Sequence, residues 1–160
     1  MINFFRLSVL LFGLLLSAII FAADVEVTGA WARATLLGQD VGMVELSVAS
    51  KQAGTLIGVS STACKTVELH SMTHENNMMK MREVNSIALP AGQRVSFRDS
   101  GYHLMLVGLK SALKEGGSVP LTLRIKGANQ RVAKIKVLAE IKAITATQAS
   151  DEEDAHMHHH

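Results

Sequence analysis

The run Tyr102-His103-Leu104-Met105-Leu106-Val107 alternates two kinds of side chain along its length. On an extended chain residues i and i+2 point to the same side and i+1 to the other. His103 and Met105 therefore project together, while Leu104 and Leu106 point the opposite way. Residues 67–72, Val-Glu-Leu-His-Ser-Met, repeat the pattern, with Val67 and Leu69 on one side and His70 and Met72 on the other. Both runs read as strands. Working outward from them, further strands are expected over 25–31, 42–48, 55–61, 79–84, 94–97, 119–125 and 132–141, several of them rich in Val, Leu, Ile and Thr. The strands within the two opening runs are expected over 66–72 and 103–107. Turn chemistry separates these segments: Pro90-Ala91-Gly92, Asp99-Ser100-Gly101 and Glu115-Gly116-Gly117, with Lys126-Gly127-Ala128-Asn129 as a hairpin connection. Residues 109–113 could form one short helical turn, and no segment after residue 23 carries a long helical period. Many short strands at this spacing imply an all-β sandwich or barrel with a single core.

The two ends differ from the body. Arg6 precedes an almost unbroken apolar run from Leu7 to Phe21, closed by the small residues Ala22 and Ala23. Residues 1–23 read as a secretory signal peptide, since the run is short against the roughly 20 apolar residues of a spanning helix. No cysteine stands near the cleavage point, so a lipid anchor there is not expected. Removing the leader leaves 15 basic and 14 acidic side chains. This near balance gives no nucleic-acid footprint, and no second apolar stretch would insert the mature chain in a bilayer. Residues 24–142 form the expected domain. Residues 143–160 form an acidic tail that ends His156-Met157-His158-His159-His160 and has too little apolar surface to pack. The single cysteine, Cys64, excludes an internal disulfide and reads as a buried small residue.

Ten residues separate His70 from Met81, twenty-one separate Met81 from His103, and one separates His103 from Met105. Thioether sulfur and neutral imidazole together suit a soft cation, above all Cu(I). Thioethers need no deprotonation to bind, and the set contains no thiol to be oxidised in an exported protein. A turn through Glu75-Asn76-Asn77 would bring Met81 back beside His70. Met72 shares a face with His70 and stands as an alternative or fifth ligand. His74, Met78 and Met79 crowd the same region, either as a secondary capture surface or as a solvated loop. Met43 has no partner that the sequence identifies, and Trp31 is expected as a core anchor. In the tail, His156, Met157, His158, His159 and His160 could bind Cu(II) through imidazoles. Taken singly, each methionine is also explained by core packing and each histidine by ordinary hydrogen bonding at a surface.

The full spacing resembles the signature of the periplasmic copper-chaperone family known as PCu(A)C, a His, ten residues, a Met, twenty-one residues, then His-x-Met. The flanks are similar too: Gly29-Ala-Trp-Ala-Arg-Ala-Thr35, Leu89-Pro-Ala-Gly92, the continuation of the strand at 103 through Gly108-Leu-Lys110, Leu113-Lys-Glu-Gly116 and Val119-Pro-Leu-Thr-Leu123. The resemblance implies a cupredoxin-like β-sandwich in the periplasm, binding one Cu(I) through His70, Met81, His103 and Met105. It further implies delivery toward the CuA or CuB centre of cytochrome c oxidase, alone or with a Sco-type thiol protein. Three other readings remain beside it: a copper buffer or resistance protein that sequesters, a blue-copper electron carrier using Cys64, His70 and Met72, and a metal-free interaction module. The blue-copper reading lacks a histidine before Cys64 and requires a turn to close about 20 Å of strand. No activated nucleophile, paired catalytic carboxylates or phosphate loop is present, so an enzyme is not expected.

Overall fold

The structure is a computed structural model that describes residues 24–75 and 78–143. The expected leader and the His156–His160 tail lie outside the described residues. Ten strands follow in order, β1 (Val25–Arg33), β2 (Val41–Ser50), β3 (Gly54–Ser61), β4 (Cys64–Glu75), β5 (Met78–Glu83), β6 (Ile87–Leu89), β7 (Arg94–Ser96), β8 (Tyr102–Leu109), β9 (Ser118–Gly127) and β10 (Val132–Lys142), with no α-helix among the described residues. Nine of these coincide with segments expected from alternation. The tenth, β6, has three residues, too few for a period to register. Residues 109–113 form no helical turn. Leu113 is instead buried, its N–H donating to Thr35 Oγ1 at 2.8 Å.

Hydrogen bonding runs along one path, β5-β4-β8-β2-β1-β10-β9-β3-β6, with β7 also paired to β2. All pairings are antiparallel except β1 with β10. The path folds back on itself around one core. Val44, Leu46 and Val48 of β2, Leu69 of β4 and Leu104 and Leu106 of β8 pack in the same cluster as Leu56 of β3 and Leu121, Leu123 and Ile125 of β9. Phe97, fully buried, donates its N–H to the Leu46 carbonyl at 2.8 Å and closes one end. Each large aliphatic side chain buried this way stabilises the fold by about 1.5–3 kcal/mol. The result is a single-domain β-sandwich, as the alternation predicts.

Strand alternation turns this core into a positioning device. Because Leu69, Leu104 and Leu106 point inward and are buried, their neighbours His70, His103 and Met105 must point outward. The β9–β10 hairpin closes as the Lys126–Asn129 stretch predicts, the Gly127 N–H donating to Arg131 O at 2.9 Å. One expectation fails. Trp31 is not in the core: it shares a rung with Glu45 and Glu140 on an outer face, with the Lys142 ammonium 5.4 Å from its ring centroid, and its neighbour Ala32 is the buried residue. The parity of β1 decides this, because the one-residue offset sends the larger side chain outward.

Candidate metal centre

Cross-strand register assembles the outer face of β5-β4-β8-β2 rung by rung. His70 stands opposite His103. Met105 stands opposite Glu68 on one side and Met43 on the other. Met72 stands opposite Met81, and His74 opposite Met79. Partners across a rung share a face, as do positions two apart on a strand. Every methionine and histidine between residues 24 and 143 therefore lies on this one face, except Met78, which pairs with Glu75 on the reverse. Methionines used merely as gap-fillers would be spread through the core, yet none of them is among the buried residues. Among the described residues no three of His, Cys, Asp and Glu are arranged so that they alone could hold a metal ion. A site with several protein donors among those residues must therefore use methionine sulfur.

His70 carries the most specific geometry. Its Nε2 lies 2.9 Å from Glu68 Oε2, with the imidazole mostly covered at 19% side-chain exposure. A carboxylate only accepts, so this contact places the proton of a neutral ring on Nε2. Nδ1 is then the nitrogen with the lone pair. That Nδ1 is buried and has no hydrogen-bond partner among the described residues. A buried imidazole nitrogen left without a partner is costly unless something else satisfies it. A carboxylate that orients one ring nitrogen while the other faces a metal is a recurrent arrangement around bound cations. Gly101, at φ +75, aligns with Met72, whose N–H donates to Gly101 O at 2.7 Å. A β-carbon there would stand 3.8 Å from Met72 Cβ. Its absence leaves the end of the His103 column without a side chain beside the methionine.

The four spaced residues thus share one face, with different degrees of proximity. His70, His103 and Met105 occupy adjacent rungs of two paired strands. The sequence pattern predicts that Met81 returns beside His70, and the structure places it differently. Glu83 takes that place, and Met81 pairs with Met72 one rung further out. The reason is the register of the hairpin, which begins at Glu75 opposite Met78. Met81 sits on the edge strand and is 45% exposed. Met43, which had no partner in the sequence, lies beside Met105. Only the β2–β8 register reveals this, because 61 residues separate the two in sequence. Cys64 is buried as expected and its Sγ donates to Thr66 O at 3.2 Å. Burial pushes its thiol pKa up, partly offset by the Lys110 charge. It pairs with Leu109 at the opposite end of β4 from the His70–His103 rung, about 20 Å from His70 along the strand. That separation removes the Cys64 blue-copper arrangement.

The reverse of the β4–β5 hairpin is chemically different. There Arg82 Nη2 lies 2.8 Å and Lys80 Nζ 3.4 Å from Glu75 Oε2. The hydrogen bond from Arg82 holds the Glu75 carboxyl below its ordinary pKa. At the outer end of the hairpin these charges lie behind, while the Met72–Met81 and His74–Met79 rungs lie in front.

The LpqE-like lipoprotein family profile matches residues 25–137. A protein of Leifsonia xyli subsp. xyli named as a lipoprotein, Lxx21020, is 30% identical over 114 residues, spanning 70% of this chain and 69% of that one. Among solved structures, the copper-bound PCuAC domain from PmoF2 aligns with a TM-score of 0.60 over 75% of this chain and 93% of that domain, at 22% identity. That is a likeness of fold. The Cu(I)-bound solution structure of DR1885 from Deinococcus radiodurans aligns with a TM-score of 0.55 at 28% identity, over 71% of this chain and 75% of that one.

Proposed function

The chain belongs to the LpqE-like family, the group of the PCuAC domains, and from that premise we propose that it is an exported copper carrier without enzymatic activity. The observation that carries the reading is the His70–His103 rung, flanked by Met105 and by the Met72–Met81 pair, with His70 Nδ1 buried and unpartnered. The cargo is one Cu(I), held by His70, Met81, His103 and Met105. Two imidazoles and two thioethers suit a soft monovalent cation and serve hard divalent ions poorly.

Each residue has a task in this account. Glu68 fixes the His70 tautomer and aims Nδ1 at the ion. His103 and Met105 are set two apart on β8, whose inward leucines are fully buried, so the core anchors the strand that presents them. Met81 is the exposed ligand on the edge strand and exchanges first. Neutral sulfur is a weaker donor than thiolate, so a thiolate-bearing acceptor can take the ion. The acceptor is proposed to be the CuA or CuB centre of cytochrome c oxidase, directly or through a Sco-type thiol protein. The location is proposed to be extracytoplasmic, in keeping with relatives named as lipoproteins.

Delivery is tested in a deletion strain at limiting copper. Oxidase activity should fall and be restored by the wild-type chain but not by His103→Ala/Met105→Leu. Normal oxidase activity at low copper, with growth impaired only at high copper, would make the protein a copper buffer instead.

A further inference from the structure

The outer end of the β4–β5 hairpin holds donors that the four-residue site does not use. His74 Nδ1 lies 3.1 Å from Met79 Sδ, a cross-strand hydrogen-bonding contact in which the sulfur accepts, so imidazole and thioether are held side by side. Both residues are exposed, Met79 at 61%. The next rung inward on the same face is Met72 with Met81, and the one after it is His70 with His103. From residue 74 to residue 70 every outward position of β4 is a soft donor, as are Met79 and Met81 of β5. No carboxylate shares the first two rungs. Glu83 and Glu68 enter this face only at the His70 rung and the one beyond, and Glu75 is held on the reverse by Arg82 and Lys80. A site of one imidazole and up to three thioethers, without a charged oxygen, selects a soft cation and rejects Ca(II) or Mg(II).

We propose that His74 and Met79, with the Met72–Met81 rung behind them, form a second Cu(I) site that receives the ion and passes it inward by ligand exchange. Met81 belongs to both sites. The ion can therefore change hands while one sulfur stays bound, and each rung lies about 7 Å from the next, within reach of two long methionine side chains. No electron or proton need be transferred: Cu–N and Cu–S bonds form as equivalent ones break. The inference rests on the copper reading above.

The test uses the leaderless chain with its tail, labelled with 13C at the methionine methyl groups, and Cu(I) supplied anaerobically from a chromogenic chelator. In the His103→Ala/Met105→Leu variant the Met79 and Met81 signals should move on addition of Cu(I), and adding His74→Ala/Met79→Leu should abolish the Met81 response. In the otherwise native chain, His74→Ala/Met79→Leu should slow the loading of Met105 by about tenfold or more, a change in association rate within the range seen among variants of one site. If Met105 moves in the native chain while Met79 stays still throughout, the entry site is overturned and the inner site stands. If neither moves, the copper reading fails and the entry site with it. An unchanged loading rate overturns the relay.

Discussion

Glu68 is the residue on which the chemistry of His70 turns. Its carboxylate accepts a hydrogen bond from Nε2–H at 2.9 Å and leaves the Nδ1 lone pair for an ion. Glu68→Ala removes that bias, and the loss expected for such an orienting partner is about 10–100-fold in affinity. Glu68→Gln keeps an acceptor oxygen and should lose less, both being read by Cu(I) competition with a chelator. Cys64 makes a prediction of the opposite kind, about stability alone. Its folded pKa is raised by burial, so above about pH 8.5 the unfolded chain ionises this thiol more readily than the folded one. The contribution is fully present below that pH and is lost as pH rises through the folded value. Denaturant melts should show unfolding free energy declining across alkaline pH, with a shallower decline in Cys64→Ala. At this scale the sequence disclosed residue types and parity. It showed that His103 and Met105 face together, because two positions on one strand suffice for that. It did not show the Glu68–His70 contact, since a carboxylate two residues from a histidine on a strand is common and only side-chain geometry distinguishes it.

Strands carry the next set of consequences. Near the end of β8, Gly108 holds φ +68, and a β-carbon there would stand 2.7 Å from Lys65 Cδ and 2.9 Å from Lys65 Cγ on β4. The lysine stem can shift, so the main cost of Gly108→Ala is the left-handed backbone, about 1–2 kcal/mol, measurable as a lower denaturation midpoint. The β9–β10 ladder sets Lys134 directly opposite Arg124, with Lys136 and Lys126 nearby on the same outer face. Like charges in direct register destabilise, and Lys134→Glu should raise stability by about 0.2–1 kcal/mol, an advantage that shrinks as salt is added. Alternation made nine strands legible, because Val-, Leu- and Ile-rich runs between glycine turns leave few other readings. Register was not legible. That is why Met43 had no partner until β2 met β8, and why Met81 was expected beside His70 rather than Met72. Trp31 misled for a related reason: size suggests the core, but a strand places residues by parity.

The whole molecule couples its stability to its site through shared strands. Leu104, completely buried, stands between His103 and Met105. Leu104→Ala should cost about 2–5 kcal/mol in denaturant melts. The sandwich and its single core follow from strand count and turn spacing, so the architecture could be read before any contact was known. Among the described residues, the gathering of all but one of the methionines and every histidine on one face is a property of the assembled sheet. The claim most in need of a direct measurement is that this face, and not the tail, holds the cargo. Cu(I) competition titration of the leaderless chain under reducing conditions answers it, beside His103→Ala/Met105→Leu and a form with His156, Met157, His158, His159 and His160 all changed to Ala. The account predicts one tight equivalent that survives the tail substitutions and disappears in the double variant. A tight equivalent that persists in the double variant and vanishes with the tail would contradict it, leaving the sandwich as a scaffold for a copper-binding terminus.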